Sequence, residues 1–245
     1  MLRRCNEVQN RNEISHQLCQ NTIFEGLTSE QISGMWPCIV AYVKNYGSQE
    51  CVCRKGEAVR DLGVVLDGEL RVCNERADGK RVTVASIQKN QLLGEAVMFS
   101  TTSCLPHLVI AQRSAQVLYL SKNFFLTPCD KAGCEHKSAH QDIVKNMLRL
   151  LSDQAIYLNQ KIAYLTATDL KTKVAMYLWE LYESNNSKTF NMPLNRGRLA
   201  EFFAVARPSL SRELINLKNL GIIDFYRSSV KILDLKALDR LAHRY

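Results

Sequence analysis

The sequence predicts an α+β fold in three parts: an N-terminal antiparallel β jelly-roll barrel, a long dimerisation helix and a C-terminal winged helix-turn-helix. Between residues 39 and 127, short apolar stretches alternate with turn signals, which is typical of an antiparallel barrel. A regular heptad of apolar residues follows, and then two short amphipathic helices with a hairpin. We place the barrel with its short N-terminal helices at residues 1–135, the dimerisation helix at 136–168 and the winged helix-turn-helix at 169–245.

Composition limits the classes of protein to consider. The 245 residues are 46% hydrophobic and 23% charged, which is typical of a globular chain. No apolar stretch reaches the roughly 18 residues of a membrane span, and the start lacks the apolar core of a signal peptide. We therefore expect a cytoplasmic protein without a membrane partner. Nine cysteines, an odd number, are then mostly reduced thiols.

The barrel is predicted from its strands and turns. A capping box, with Thr28 as the N-cap and Gln31 three residues later, begins a short helix ahead of it. The strand-like stretches read "LGVVLDG", "ELRVCNE", "RVTVASI", "LVIAQ" and "AQVLYLS", and turn signals lie at residues 55–57, 67–68, 78–79 and 89–90. Several such strands at roughly ten-residue spacing suggest an antiparallel barrel or jelly roll.

A heptad seam predicts a helix from about residue 138 to 166 that pairs with a partner helix. Its residues are spaced alternately four and three apart: Val144, Leu148, Leu151, Ala155, Leu158, Ile162 and Leu165. A second stripe of Ile143, Met147, Leu150 and Tyr157 runs beside it and suits packing on the chain's own barrel. The pattern favours a homodimer, and the alternative is an ordinary buried helix in a monomer.

Residues 195–217 predict a helix-turn-helix. Asn195 is a good N-cap for a helix that begins at Arg196 and buries Leu199, Phe202 and Phe203. A second helix begins near Arg207 with Pro208 in its first turn, and it buries Leu210, Leu214 and Leu217. Ala204 stands where glycine usually makes the turn, at a cost of about 1 kcal/mol.

Basic and hydroxyl side chains at the start of the second helix point to DNA. Arginine donates two hydrogen bonds to guanine, and serine bonds bases or phosphates. A hairpin around residues 227–229 follows as a wing that touches phosphates. The expected DNA-binding residues are Arg196, Arg207, Ser209, Ser211, Arg212, Lys218 and Arg227. The formal charge of +8 and a pI near 9.0 agree with such a partner. The alternative is a small helical domain whose basic residues are only solvated.

These motifs resemble the CRP/FNR family of bacterial transcription regulators over roughly residues 20–235. The resemblance is carried by "KGE" at 55–57, "LDGELRV" at 66–72, "LGEAVMF" at 93–99 and "RGRLAEFFAVARPSLSRELINLKNLGII" at 196–223. It implies a sensory barrel like a cyclic-nucleotide-binding domain, a homodimer, a palindromic double-stranded DNA operator, and RNA polymerase as a further candidate partner. The family has two typical sets of base-contacting residues on its recognition helix. Arg207 matches part of one set and the pair Ser211-Arg212 matches part of the other, while Pro208 stands in place of a glutamate. The operator is therefore expected to be neither the cAMP-receptor nor the FNR consensus.

The segment "LLGEAVMFSTTSCLPH" at 92–107 decides the expected ligand. In the family's cyclic-nucleotide binders, a Gly-Glu pair holds the ribose and a later arginine pairs with the cyclic phosphate. Gly94 and Glu95 are present, but residues 99–107 contain neither arginine nor lysine. A buried phosphate without a cation costs several kcal/mol, so cAMP is not expected as the effector.

Thiol and imidazole side chains supply the candidate sensors. Cys104 and His107 join Glu95 as expected effector-pocket residues, because thiolate and imidazole ligate haem iron or zinc. Cys129, Cys134 and His136, with His140 nearby, form a second candidate for a metal site or a redox-controlled disulfide. The alternative for both groups is packing or a solvated loop, and packing is also expected for Cys51 and Cys53. The cofactor is left open, with haem as one candidate.

No nucleophile–base set, phosphate loop or paired-carboxylate motif rises above chance, so an enzyme is not expected. The sequence predicts a homodimeric, sequence-specific DNA-binding regulator that responds through its barrel to a haem-bound gas, a redox signal or a small molecule. Two alternatives are a DNA-binding dimer without a ligand and a cyclic-nucleotide-binding regulatory module that acts on a protein partner. The second alternative leaves residues 196–231 unexplained.

Overall fold

A computed structural model describes residues 3–4, 8–39, 41–76, 80–127 and 135–243 of the chain. The chain divides into two units, Met1–Asp153 and Gln154–Tyr245. The division lies inside the longest helix. Within the described residues, no helix combines the length and the apolar character that crossing a bilayer would need.

The first unit begins with helical elements that cover a barrel. After the short strand β1 (Arg3–Arg4) come helix α1 (Val8–Leu18), a 3₁₀ turn (Thr22–Phe24) and helix α2 (Ser29–Met35). The predicted capping box of α2 is present: the backbone N–H of Gln31 donates to the Thr28 hydroxyl, and the backbone N–H of Thr28 donates to the side-chain oxygen of Gln31. The indole of Trp36 donates to the Ser15 hydroxyl at 2.9 Å and ties α2 to α1.

Two antiparallel sheets form the jelly roll. The strands are β2 (Ala41–Tyr46), β3 (Cys51–Cys53), β4 (Asp61–Asp67), β5 (Glu69–Glu75), β6 (Arg81–Gln88), β7 (Leu92–Leu93), β8 (Leu108–Ala111) and β9 (Ala115–Ser121). One sheet has the order β1-β2-β9-β4-β7 and the other β3-β8-β5-β6. Helix α3 (Glu95–Met98) lies between β7 and β8, and helix α4 (Lys122–Leu126) follows β9. Positive φ angles at Gly56, Gly68 and Asn90 confirm three of the predicted turns, while residues 78–79 lie outside the described residues.

The predicted long helix is α5 (Lys137–Thr166). Ile143 and Met147 of the predicted second stripe are buried in the core of the first unit with Phe124 and Phe125, and Leu150 packs against this core. The prediction is wrong for Tyr157, which is exposed. Further along α5, in the second unit, Tyr164 is buried among the aromatic side chains described below.

The second unit is a winged helix-turn-helix. After α5 it comprises α6 (Leu170–Asn185), β10 (Thr189–Asn191), α7 (Arg196–Phe202), α8 (Arg207–Asn219), β11 (Ile223–Tyr226), β12 (Ser229–Ile232) and α9 (Leu235–Ala242). Its antiparallel sheet has the order β10-β12-β11. The hairpin of β11 and β12 was predicted, whereas β10 and α9 were not. The core contains Tyr164, Tyr177 and Phe203 in mutual ring contact, with the apolar faces of α7 and α8 around them.

Candidate functional site

The helix-turn-helix is built by local signals that the sequence carries. Asn195 has extended backbone, and its side chain accepts the Arg198 amide at 3.0 Å, so α7 begins at Arg196 as predicted. Ala204 adopts φ +55°, the left-handed conformation that a tight turn requires, although it is not glycine. Pro208 lies in the first turn of α8, where the amide it lacks would have no helical partner.

Helix α8 is anchored on one side and exposed on the other. Leu210, Leu214 and Leu217 are almost completely buried, and they fix the helix against α6 and α7. Arg207 and Arg212 are exposed, while Ser209 and Ser211 are half-buried beside the core stripe. The four predicted contacts therefore lie on or next to the solvent face of the first turns of α8.

Sequence reasoning missed two other residues on this face. Ile215 and Asn216, three and four residues after Arg212, are exposed on the same side of the helix. An apolar side chain here suits the methyl group of thymine, and an asparagine suits adenine. Their spacing from Arg212 was the signal that could have identified them.

Three of the predicted arginines surround one recess. Arg196 from α7, Arg207 from α8 and Arg227 from the hairpin turn line a cavity of about 400 Å³ with Asn195 and Ser228. No carboxylate is among the described residues that line it. We call this the arginine recess. It combines residues that are 31 positions apart in the chain, and it is suited to an anionic group such as a phosphate.

Aromatic rings of the hairpin lie against nearby cations. The Arg196 guanidinium lies 4.9 Å from the centre of the Phe225 ring, and that of Arg227 lies 5.4 Å from the Tyr226 ring. Lys218 forms an ion pair with Asp224 at 2.6 Å, which, with the Phe225 amide, lowers the pKa of Asp224. Lys218 is thus neutralised within the domain, and its DNA contact stays a prediction.

The seam on α5 is largely exposed in the single chain. Four large apolar side chains of the seam are exposed: Leu148, Leu158, Ile162 and Leu165. Ala155 is exposed as well, while Val144 and Leu151 are half-buried. Four large apolar groups at heptad spacing on one face of a helix are unusual on a surface without a partner.

The segment at 92–107, which we call the cassette, has its candidate residues in separate surroundings. Gly94, at φ +92°, caps α3, and a side chain there would collide with Val59. Glu95 is half-buried at the first position of α3. The backbone of Cys104 forms an isolated antiparallel β-bridge with that of Ala58, and the Cys104 thiol is free. His107 Nδ1 lies 2.6 Å from the Asn74 side-chain oxygen. Their role as an effector pocket stays a prediction.

The histidines of the second candidate site have other contacts. His140 is buried and donates from Nε2 to the carbonyl oxygen of Phe124. His136 lies directly against Gly34, where a Cβ would come within 2.5 Å of the ring. Cys129 and Cys134 lie outside the described residues. Within the described ranges, no group of three or more His, Cys, Asp or Glu side chains is arranged to hold a metal ion.

One opening of the barrel unit lies beside the cassette. This cleft of about 910 Å³ is lined by Tyr42 and Tyr46 of β2, Tyr119 of β9, and the segment from β3 to β4, and it receives Leu93 and Leu105 from the two ends of the cassette. We call it the tyrosine cleft. Cys53 lines it, half-buried, and burial and the nearby Glu57 raise the pKa of its thiol to about 12.

Both units match models of known protein families. Residues 43–131 match the cyclic nucleotide-binding domain, and residues 172–241 match the Crp-like helix-turn-helix domain. The first match covers most of the barrel, and the second covers α7, α8 and the hairpin. The arrangement of the two matches agrees with that of the two units.

Relatives with known names match over most of the chain. Transcriptional regulator LdrP of Thermus thermophilus is 22% identical over 204 residues, which are 82% of this chain and 96% of the relative. Transcriptional activator protein FnrL of Cereibacter sphaeroides is 23% identical, over 75% of this chain and 73% of its own. Among solved structures, the Catabolite Activator Protein of Thermus thermophilus is 18% identical with a TM-score of 0.49, over 91% of this chain and 98% of that chain.

Proposed function

The chain belongs to the CRP/FNR family of transcription regulators, and from that premise we propose that it is a homodimer that reads a palindromic DNA operator and responds to an effector other than cAMP. It is a regulator and not an enzyme. We place its action in the cytoplasm, on double-stranded DNA.

The arginine recess is the observation that carries the DNA-binding proposal. Phosphate contacts set the position of a helix-turn-helix on the duplex, and base contacts from the exposed helix face select the sequence. In the recess, Arg196 and Arg227 supply cations for the first task, and Arg207 and Arg212 on α8 supply donors for the second. Ser209 and Ser211 complete the reading set. Ile215 and Asn216 extend it.

The homodimer is supported by the exposed seam of α5. Two copies of one helix paired along this seam would cover Leu148, Leu158, Ile162 and Leu165, which the single chain leaves exposed. A two-fold dimer presents two α8 helices to two half-sites, so a palindromic operator follows from the same symmetry.

An effector other than cAMP is supported by the chemistry of the cassette. Residues 99–107 carry no arginine or lysine, so this segment does not supply the cation that a cyclic phosphate requires. The effector would act through the barrel. Haem, thiol redox chemistry and a small organic molecule stay open at this level.

The test is operator selection followed by alanine substitution. DNA selected from a random library by the wild-type protein serves as the operator. Arg207→Ala and Arg212→Ala should each weaken binding to it by about 1–3 kcal/mol and relax the sequence preference at one position per half-site. Arg240→Ala, which removes an exposed arginine of α9, is the matched control. Unchanged affinity in both α8 variants relative to this control would contradict the proposed reading surface.

A further inference from the structure

The tyrosine cleft has the size and the walls of a ligand site. Its volume of about 910 Å³ lies in the usual range for small-molecule sites. Tyr42 and Tyr119 stack with their ring centres 5.1 Å apart, and Tyr46 is buried next to them. Val52, Val59 and Leu105 complete an apolar lining. A planar, partly aromatic molecule therefore finds both stacking surface and apolar cover in this cleft.

The hydroxyl groups in the cleft leave one proton without an acceptor. Tyr42 donates to Asp61 at 3.1 Å, and the hydroxyls of Tyr46 and Tyr119 lie 2.7 Å apart. That pair has two protons and forms one hydrogen bond between its members. Among the described residues, no acceptor bonds the second proton. Burial and the bond to Tyr46 raise the pKa of Tyr119, so its hydroxyl keeps its proton at neutral pH.

The charges around the cleft favour a cation. Three carboxylates line it, from Glu50, Glu57 and Asp61, against two cations, Lys44 and Arg60. Within the described part of the chain, no cation lies within ion-pair distance of these carboxylates. Glu50 accepts from a backbone amide, Glu57 from a backbone amide and the Cys53 thiol, and Asp61 from the Tyr42 hydroxyl. The Lys44 ammonium lies over the Tyr46 ring at 4.6 Å. An excess of negative charge at one opening is notable in a chain of net charge +8.

We propose that the tyrosine cleft binds a planar aromatic amine whose ring carries an oxygen acceptor. The ring stacks with the tyrosines, its oxygen takes the spare proton of the Tyr46–Tyr119 pair, and the ammonium group is neutralised by the carboxylates at the opening. The site is separate from Glu95, Cys104 and His107 of the cassette. The inference deepens the proposed function, because such a ligand would be the effector of the regulator. Binding of the ligand is independent of the proposed function, and only its role as an effector rests on it.

Two probes with the same ring and opposite charge test the charge preference. Tyramine and 4-hydroxyphenylacetate are titrated separately into the full-length protein, without DNA, by calorimetry. Tyramine should bind at least about tenfold more tightly, because each charge interacts with the cleft carboxylates in opposite sense. Equal or tighter binding of the acid overturns the proposal, and so does the absence of tyramine binding at millimolar concentration.

Substitution at the opening should remove that preference. The double variant E57Q/D61N keeps the shape of both side chains and leaves one carboxylate against two cations in the lining, so the preference for tyramine, expressed as the ratio of the two affinities, should disappear or reverse. Glu183→Gln, which neutralises an exposed carboxylate of α6 in the other unit, should leave the ratio unchanged. A ratio that survives in E57Q/D61N contradicts the assignment of these carboxylates.

A third probe tests the spare proton. Phenethylamine lacks the ring oxygen of tyramine and should bind the wild-type protein about tenfold more weakly, because it offers the second proton of the tyrosine pair no acceptor. In Y46F/Y119F the two amines should bind equally. Equal affinities already in the wild-type protein would refute the role of the tyrosine pair, whether or not the double variant folds. Because no DNA is present, a failure here leaves the operator experiment free to decide the proposed function.

Discussion

Truncating the seam of α5 should dissociate the homodimer. Leu158 and Ile162 are 56% and 57% exposed in the single chain, and a paired helix would cover both. We consider the double variant L158A/I162A, because both positions tolerate alanine in a helix and neither side chain belongs to the buried core of a single chain. The substitution therefore acts on association more than on folding.

The size of the effect follows from these exposures. Burying a whole leucine or isoleucine side chain stabilises by about 1.5–3 kcal/mol, so covering slightly more than half of one contributes about 1 kcal/mol. Each substitution occurs in both copies and thus removes about 2 kcal/mol. The double variant should lose about 4 kcal/mol of association free energy, which raises the dimer dissociation constant roughly a thousandfold.

Sedimentation equilibrium over a range of concentrations measures the constant directly. The matched control is L126A/L233A, whose leucines are 58% and 50% exposed but lie off the seam, and it should sediment like the wild-type protein. Operator affinity should fall together with dimerisation, because two half-sites are then no longer bound by one particle. A wild-type protein that sediments as a monomer at micromolar concentration, or a seam variant that dimerises as tightly as the control, would refute this reasoning.

Three further substitutions test the helix-turn-helix. Asn195→Ala removes the cap of α7 and should lower the free energy of unfolding by about 1 kcal/mol in a denaturant titration, whereas Asn191→Ala, at an exposed strand position, should have little effect. Ala204→Gly relieves the positive φ and should raise the melting temperature; a lower value would show that the turn is not strained. The pKa of Asp224 is lowered in the folded state. Its pairing with Lys218 therefore stabilises the domain at pH values above the pKa of this carboxyl in the unfolded chain, and the stabilisation is lost as the pH falls through the pKa in the folded chain. In Lys218→Ala the decrease in the free energy of unfolding at acid pH should be smaller, and an unchanged pH profile of unfolding would contradict the pairing.

Much of the fold could be predicted because its signals are local. The capping box at Thr28, the cap at Asn195 and the first-turn proline at 208 each concern residues within one helical turn of each other, and the structure has all three. Strand β10 and helix α9 were missed. β10 is only three residues long, and its pairing partner β12 is about forty residues away, so no periodicity within the strand could reveal it.

Of the candidate sites, one is predictable from local signals in the sequence and two are not. The exposed face of α8 is predictable, because helical geometry assigns each residue to a side once the buried leucines are known. The arginine recess is not, since it joins the beginnings of two helices and the turn of a hairpin. The tyrosine cleft was not anticipated either: its three tyrosines lie on strands that are adjacent in the sheet but more than seventy residues apart in sequence.

The sequence by itself determined the family, the order of the two units, the heptad seam and the reading helix, because each depends on residues that are close together in the chain. Only the tertiary structure decided which charges share a surface. Arg196, Arg207 and Arg227 converge on one recess, Lys218 is neutralised by Asp224, and Tyr46 meets Tyr119 across two strands. The physical reason is that hydrogen bonds and electrostatic interactions depend on distance in space, and strand pairing and helix packing set that distance independently of separation along the chain.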